Sequence, residues 1–216
     1  MSRLLAASAM SLICAGPVAA SVLDFEGLSA GSFVGAFTID GVGVTVFGES
    51  NDFERPGGLS EAMIFDTFNP TGGDPDLVPD NSDSIAGPID ASLTGNVLIL
   101  TEDGDAGDPD DAAGGGTFTF AFDRAVTLVS IDLIDDLSGT ITATGFSQGF
   151  ALTRENQLER AVFNWAGIDS FTVELDGSGA LDNVVFEVSQ IPVPAALPLL
   201  AGGMGALAFL RGRRRG

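Results

Sequence analysis

The feature that most limits what this chain can fold into is alternation in steps of two, repeated in short runs between clusters of Gly, Asp, Asn and Pro. In Thr117-Phe118-Thr119-Phe120-Ala121-Phe122 the three phenylalanines fall on one side of an extended chain and the threonines on the other, because successive side chains of a strand point to opposite faces. The same period recurs in Val42/Val44/Val46, Phe171/Val173/Leu175 and Val184/Phe186/Val188. Further strands are expected over 22–26, 32–39, 62–66, 97–101, 126–134, 140–144 and 159–164, where β-branched and aromatic residues are bounded by turn formers. No interior stretch carries the 3.6-residue period of a long amphipathic helix. The expected fold class is therefore all-β, a single-domain antiparallel β-sandwich of jelly-roll type built from about ten short strands. The 29 glycines suit so many turns, and no fixed repeat of roughly 20 to 50 residues points to a propeller or solenoid.

The two ends follow other rules. Arg3, the apolar run 4–14 and the small residues Val18-Ala19-Ala20 have the layout of a signal peptide over residues 1–20. Cys14 is the only cysteine, and Ser11-Leu12-Ile13 before it make a poor lipobox, so no lipid attachment is expected. A secreted domain without disulfides must be held by its core or by a metal. At the far end, Ile191-Pro192-Val193-Pro194-Ala195 leads into an apolar segment, about 196–210, and a basic end, 211–216, carrying Arg211, Arg213, Arg214 and Arg215. With the Pro-rich step, that segment approaches the roughly 17 to 20 residues a helix needs to cross a bilayer. Its arginines would keep the end in the cytoplasm.

This three-part tail resembles the PEP-CTERM sorting signal in its VPLPA-type variant, with Ile191 for the first Val and Val193 for the usual Leu, and the proline spacing intact. The resemblance implies recognition by an exosortase-type membrane protease. It also implies a transient inner-membrane anchor, then a place at the cell surface or outside the cell among exported polysaccharide. An ordinary C-terminal membrane anchor is the alternative. Between the ends, residues 21–190 have a length suited to one domain.

Removing both ends changes the charge. Of nine basic residues, only Arg55, Arg124, Arg154 and Arg160 lie in 21–190, against all 30 acidic ones, a net −26. Such a field repels nucleic acid and anionic lipid, and it favours divalent cations and solubility outside the cell.

Three groups of acids are candidates for binding. The resemblance to secreted PEP-CTERM domains extends to the chain ends, Asp24-Phe25-Glu26-Gly27-Leu28 and the Gly-rich turn before Asp182-Asn183. In jelly-roll carbohydrate-binding modules, which these domains resemble in outline, adjacent terminal strands pinch a structural calcium. What the resemblance implies is a calcium held by Glu26 and Asp182, with Asp24 and Asn183 next, since calcium takes six to eight hard oxygen ligands. The bland reading is that Asp182 and Asn183 shape a turn and Glu26 is solvated. The second group, Asp74 and Asp76, lies in the Asp-, Gly- and Pro-rich segment 69–88 after the strand 62–66; it would suit calcium or a pair of sugar hydroxyls, or be a turn cluster. The third, Asp103 and Asp105, lies in the acidic loop 103–116, which lacks the EF-hand order. It reads either as a solvated loop or as one that folds on calcium. Trp165, the only tryptophan, reads as packing more readily than as a sugar-stacking platform.

The chain has no His, and 21–190 has neither Cys nor Lys, so Ser-His-Asp and Cys-His machinery, zinc-histidine sites and Schiff-base lysines all drop out. Only paired carboxylates remain for catalysis. The expectation is a non-catalytic module of an exopolysaccharide matrix that binds glycan or calcium. The alternatives are a carboxylate-based glycoside-acting enzyme and a structural component with no specific ligand.

Overall fold

A computed structural model describes residues 19–70, 77, 95–135, 137–153 and 156–188. Every regular element among them is a strand, and all pairing between strands is antiparallel. The strands are β1 (Ala20–Leu23), β2 (Ala36–Ile39), β3 (Val42–Ser50), β4 (Ala62–Asp66), β5 (Asn96–Leu100), β6 (Gly116–Ile134), β7 (Ser138–Ala143), β8 (Phe146–Ala151), β9 (Leu158–Leu175) and β10 (Ala180–Val188). They belong to one compact unit, Ala19–Ser189.

Two strands are much longer than expected. The charged pair Asp123-Arg124 suggests a break between 117–122 and 126–134, yet β6 runs through both. Arg124 Nε bonds Asp123 Oδ1 at 2.8 Å on the surface, so the two charges satisfy each other without leaving the strand. The irregularity is absorbed by register shifts against β9 between Ala121 and Val126. β9 likewise joins 159–164 to 171–175. These two strands carry the architecture. The first part of β6 pairs with β3 and with the end of β9, which continues through β7 to β8, while its second part pairs with β10 and the start of β9. β10 passes the sheet on to β5 and β4. The hydrogen bonding thus makes one ten-stranded sheet instead of two separate ones, because β6 and β9 are long enough to serve both halves.

One large apolar cluster joins the halves. Phe118 and Phe120 from the first half meet Leu128, Leu181 and Phe186 from the second; the Phe120 ring stacks on Phe171 at 4.6 Å, and Phe122 meets Phe186 at 5.1 Å. Trp165 is part of it, stacked on Phe146 at 5.2 Å and touching Phe163. A smaller cluster, Met63, Phe65, Leu77, Val97, Ile99, Ile134, Leu158 and Ala180, covers the opposite face of the second half. Burial on both faces explains why Ala62–Asp66 and Asn96–Leu100 read as continuous apolar runs rather than alternating ones.

Candidate functional site

The edge of β10 is shared end to end by two strands. Ala180 and Leu181 pair with Ile99 and Leu98 of β5, whereas Val184 to Glu187 pair with β1. Asp182 and Asn183 lie at the seam. There the ladder to β6 shifts register between Asp182 and Val185, and Asn183 takes a left-handed φ of 45°, the conformation Asn adopts more readily than other side-chain-bearing residues. The chain leaving β1 turns into the same gap. Phe25 is buried with φ 57°, Leu28 N donates to Phe25 O, and Asn96 Nδ2 donates to Leu28 O at 2.7 Å. Glu26 Oε1 accepts from Asn96 N at 3.1 Å, capping the start of β5. A Cβ at position 95 would lie 2.0 Å from that Glu26 oxygen, so any larger residue there would push the Glu26 carboxylate off Asn96 N.

On the face that carries the smaller apolar cluster, the next position across three strands is polar. Asp182 of β10 stands opposite Asp132 of β6, and Asp132 opposite Arg160 of β9. Asp132 is fully buried and takes both guanidinium bonds, from Nε at 2.6 Å and Nη2 at 2.7 Å. Arg160 reaches the surface at 36% side-chain exposure, a fork matched to a planar carboxylate. Among the described residues Asp182, 4% exposed, has no ion pair of its own. Among those residues it accepts from its neighbour, Asn183 N at 2.7 Å and Nδ2 at 2.9 Å. Burial pushes its carboxyl up to about 8, and the negative charges of Asp132, Glu26 and Asp24 push the same way, against the Asn183 backbone bond. Asp24 and Glu26 are exposed at the mouth of this cluster, with Asp24 Oδ1 accepting Glu26 N at 3.3 Å.

The chain-end candidates Glu26, Asp182, Asp24 and Asn183 are therefore brought into one neighbourhood, on a strand bulge and a tight turn. Asp132 and Arg160, which the sequence reading did not single out, complete it. The signal for Asp132 was an acid in the middle of the apolar run 126–134. The donor chemistry suits a hard cation, carboxylates from three separate segments. Their placement stops short of a cage, since among the described residues no three acids converge as metal ligands.

Asp103 and Asp105 lie apart from this cluster, in an exposed loop that uses them for itself. Asp103 Oδ1 accepts Asp105 N and Asp105 Oδ1 accepts Gly107 N, both at 2.8 Å, while Thr101 Oγ1 accepts Gly104 N at 2.9 Å. These are side-chain-closed turns. Asp74 and Asp76 lie outside the described residues, as do Ile191-Pro192-Val193-Pro194-Ala195 and Arg211, Arg213, Arg214 and Arg215. Among the described residues no helix is long and apolar enough to cross a membrane. No family model matches the chain, and no curated protein and no solved structure matches it.

Proposed function

We propose that this chain is an exported, exosortase-sorted, non-catalytic module of an extracellular polysaccharide matrix, with calcium as a structural ligand at the β1–β5–β10 seam. The export and sorting parts rest on the sequence of the two ends. The finer architecture in this reading is a sandwich whose layers are the two halves of the sheet, wrapped through β6 and β9. The observation that carries the calcium assignment is the grouping of Asp24, Glu26 and Asp182 beside Asp132, with Arg160 the one guanidinium among them in the described residues. A divalent cation there would relieve the charge repulsion around Asp182 and tie the N-terminal turn to β10. Glu26 and Asp24, both exposed, would have to close toward Asp182 to hold it, with Asn183 orienting Asp182, and Asp132 would stay with Arg160.

A glycoside-acting enzyme is less well supported. A raised carboxyl like that of Asp182 is what a general acid requires, but Asp182 and Asp132 are buried in the sheet. Neither residue lines the cleft of about 440 Å³ bordered by Phe47, Phe53 and Leu59, nor the smaller one bordered by Phe37, Phe122 and Asp123.

Thermal unfolding of the Ala19–Ser189 unit with calcium and with a chelator tests the assignment. Calcium at about a hundred times its Kd should stabilise by about 2.7 kcal/mol, a rise in Tm of roughly 5 to 10 °C at this size. Magnesium should do less, since it demands tighter octahedral geometry. An unchanged Tm removes calcium from the reading.

A further inference from the structure

Charge is spread over residues 21–190 with one exception: from Leu137 to Thr153 there is no acidic or basic residue, the longest such run in that region. It coincides with the β7–β8 hairpin, turned at Thr144-Gly145 with Gly145 at φ 81°. β8 ends the hydrogen-bonded path of the sheet, and among the described residues it pairs with β7 alone. Four of its six residues are exposed. Along a strand at a sheet edge, every second residue points its N–H and C=O outward with no ladder partner.

Proteins normally blunt such an edge with charge, proline, a bulge or a covering segment. Two of the other margins here are treated that way. β4 is covered by the segment before β2, through Gly31 N to Ile64 O at 2.9 Å, Ile64 N to Ser32 O at 3.0 Å and Val34 N to Ala62 O at 2.8 Å. β2 is only four residues long and runs into Asp40. Among the described residues β8 has none of these devices: its sequence, Phe146-Ser147-Gln148-Gly149-Phe150-Ala151, contains no charge and no proline, and its register against β7 is unbroken. Its Phe146 and Phe150 lean on the body of the protein, against Trp165 and the large core cluster. Ser147, Gly149 and Ala151 alternate with them and put nothing bulky on the other face.

We propose that β8 is an assembly edge, pairing antiparallel with β8 of a second copy so that two sheets join through a two-fold contact. Charge selects the occupant. Each body carries a net −26 over residues 21–190, and this hairpin is the longest stretch there that brings no carboxylate to a contact between two copies. An antiparallel strand is also self-complementary about a two-fold axis. Six residues a side is well below a standard stable interface, so the contact is weak alone and forms where copies are concentrated. Salt strengthens it by screening the charge on the rest of the two bodies.

Sedimentation velocity on the Ala19–Ser189 unit, which contains both apolar clusters, from micromolar to millimolar protein and at low and high salt, tests this. The expected result is a shift from monomer toward dimer with concentration, larger at high salt. Gly149→Glu has room, the nearest atom to a new Cβ being Gly139 O at 3.8 Å, so circular dichroism should be unchanged while dimer affinity falls about tenfold or more. Thr45→Glu adds the same charge at an exposed position on β3 and should weaken the dimer about twofold at most. A monomer at millimolar concentration in high salt overturns the proposal, and so does a dimer that Gly149→Glu and Thr45→Glu affect alike.

Discussion

Two acidic regions of this molecule look alike in composition and behave differently. Between Glu102 and Asp111 there are six carboxylates in ten residues. Those of Asp103 and Asp105 stay in water and close turns on backbone N–H groups two residues ahead. At the seam of β1, β5 and β10 the acids are scattered over the sequence, at 24, 26, 132 and 182, and the fold assembles them. Dense acids in a loop can spread and solvate, so their repulsion is screened. Acids assembled on a sheet cannot move apart, so burial and mutual charge act on them directly. Electrostatic tension therefore sits where the sequence shows the fewest acids together.

The sharpest way to break this contrast is to remove the Arg160 guanidinium from the seam. Arg160→Ala leaves Asp132, with no exposed surface, without its two guanidinium bonds. Breaking a buried pair from one side costs about 3 to 5 kcal/mol. Urea unfolding at neutral pH should show that loss, with Arg160→Lys recovering only part of it because a lysine cannot make the bidentate bond. A loss under about 1 kcal/mol would place the pair among ordinary surface salt bridges.

Next in size is the pH dependence contributed by Asp182. Its folded carboxyl is raised from 3.8 to about 8, so between those values the folded state holds a proton that the unfolded state has released. The sign follows: the site is neutral and without penalty below about pH 4, destabilises progressively from pH 4 to 8, and carries its full penalty above pH 8. Asp182→Asn removes the ionisation while keeping the shape. In the absence of calcium the variant should gain stability over the parent as pH rises, reaching a few kcal/mol at pH 9. Near pH 4 the difference should be small. Added calcium should shrink or reverse the gain, because the carboxylate then has its counter-charge. Equal stability of the two proteins at pH 9 without calcium would mean that solvent or local opening relieves Asp182.

The difference between the two regions also governs what could be read from the sequence. Strands with one dry face were legible: Thr117 to Phe122 alternates because Phe118 and Phe120 are fully buried on one side. The doubly buried run Ala62 to Asp66 was legible from its apolar density and flanking turns. β8 was not. Phe146-Ser147-Gln148-Gly149-Phe150-Ala151 has no β-branched residue and a central glycine, so local preference is weak and its pairing to β7 decides. Asp123-Arg124 hid the continuity of β6, because a charged dipeptide looks like a turn until its two charges are seen to pair. At the seam, Asp24, Glu26, Asp182 and Asn183 were visible as motifs at the chain ends. The role of Asp132 depends on a partner 28 residues away on β9 and on a neighbour across β10, information that exists only once the strands are in register.

The smallest expected effect tests the other side of the comparison. If the carboxylates of the 102–111 loop act only as turn closers, Asp105→Asn should be nearly silent, since an asparagine oxygen can accept the Gly107 N–H in the same geometry. Asp105→Ala should cost about 0.5 to 1 kcal/mol for the lost bond, with no dependence on calcium. Loss of a calcium-dependent rise in Tm in Asp105→Asn, while Asp182→Asn keeps it, would reverse the assignment. The cation would then belong to the loop, where density of charge and freedom to rearrange outweigh the preassembled seam.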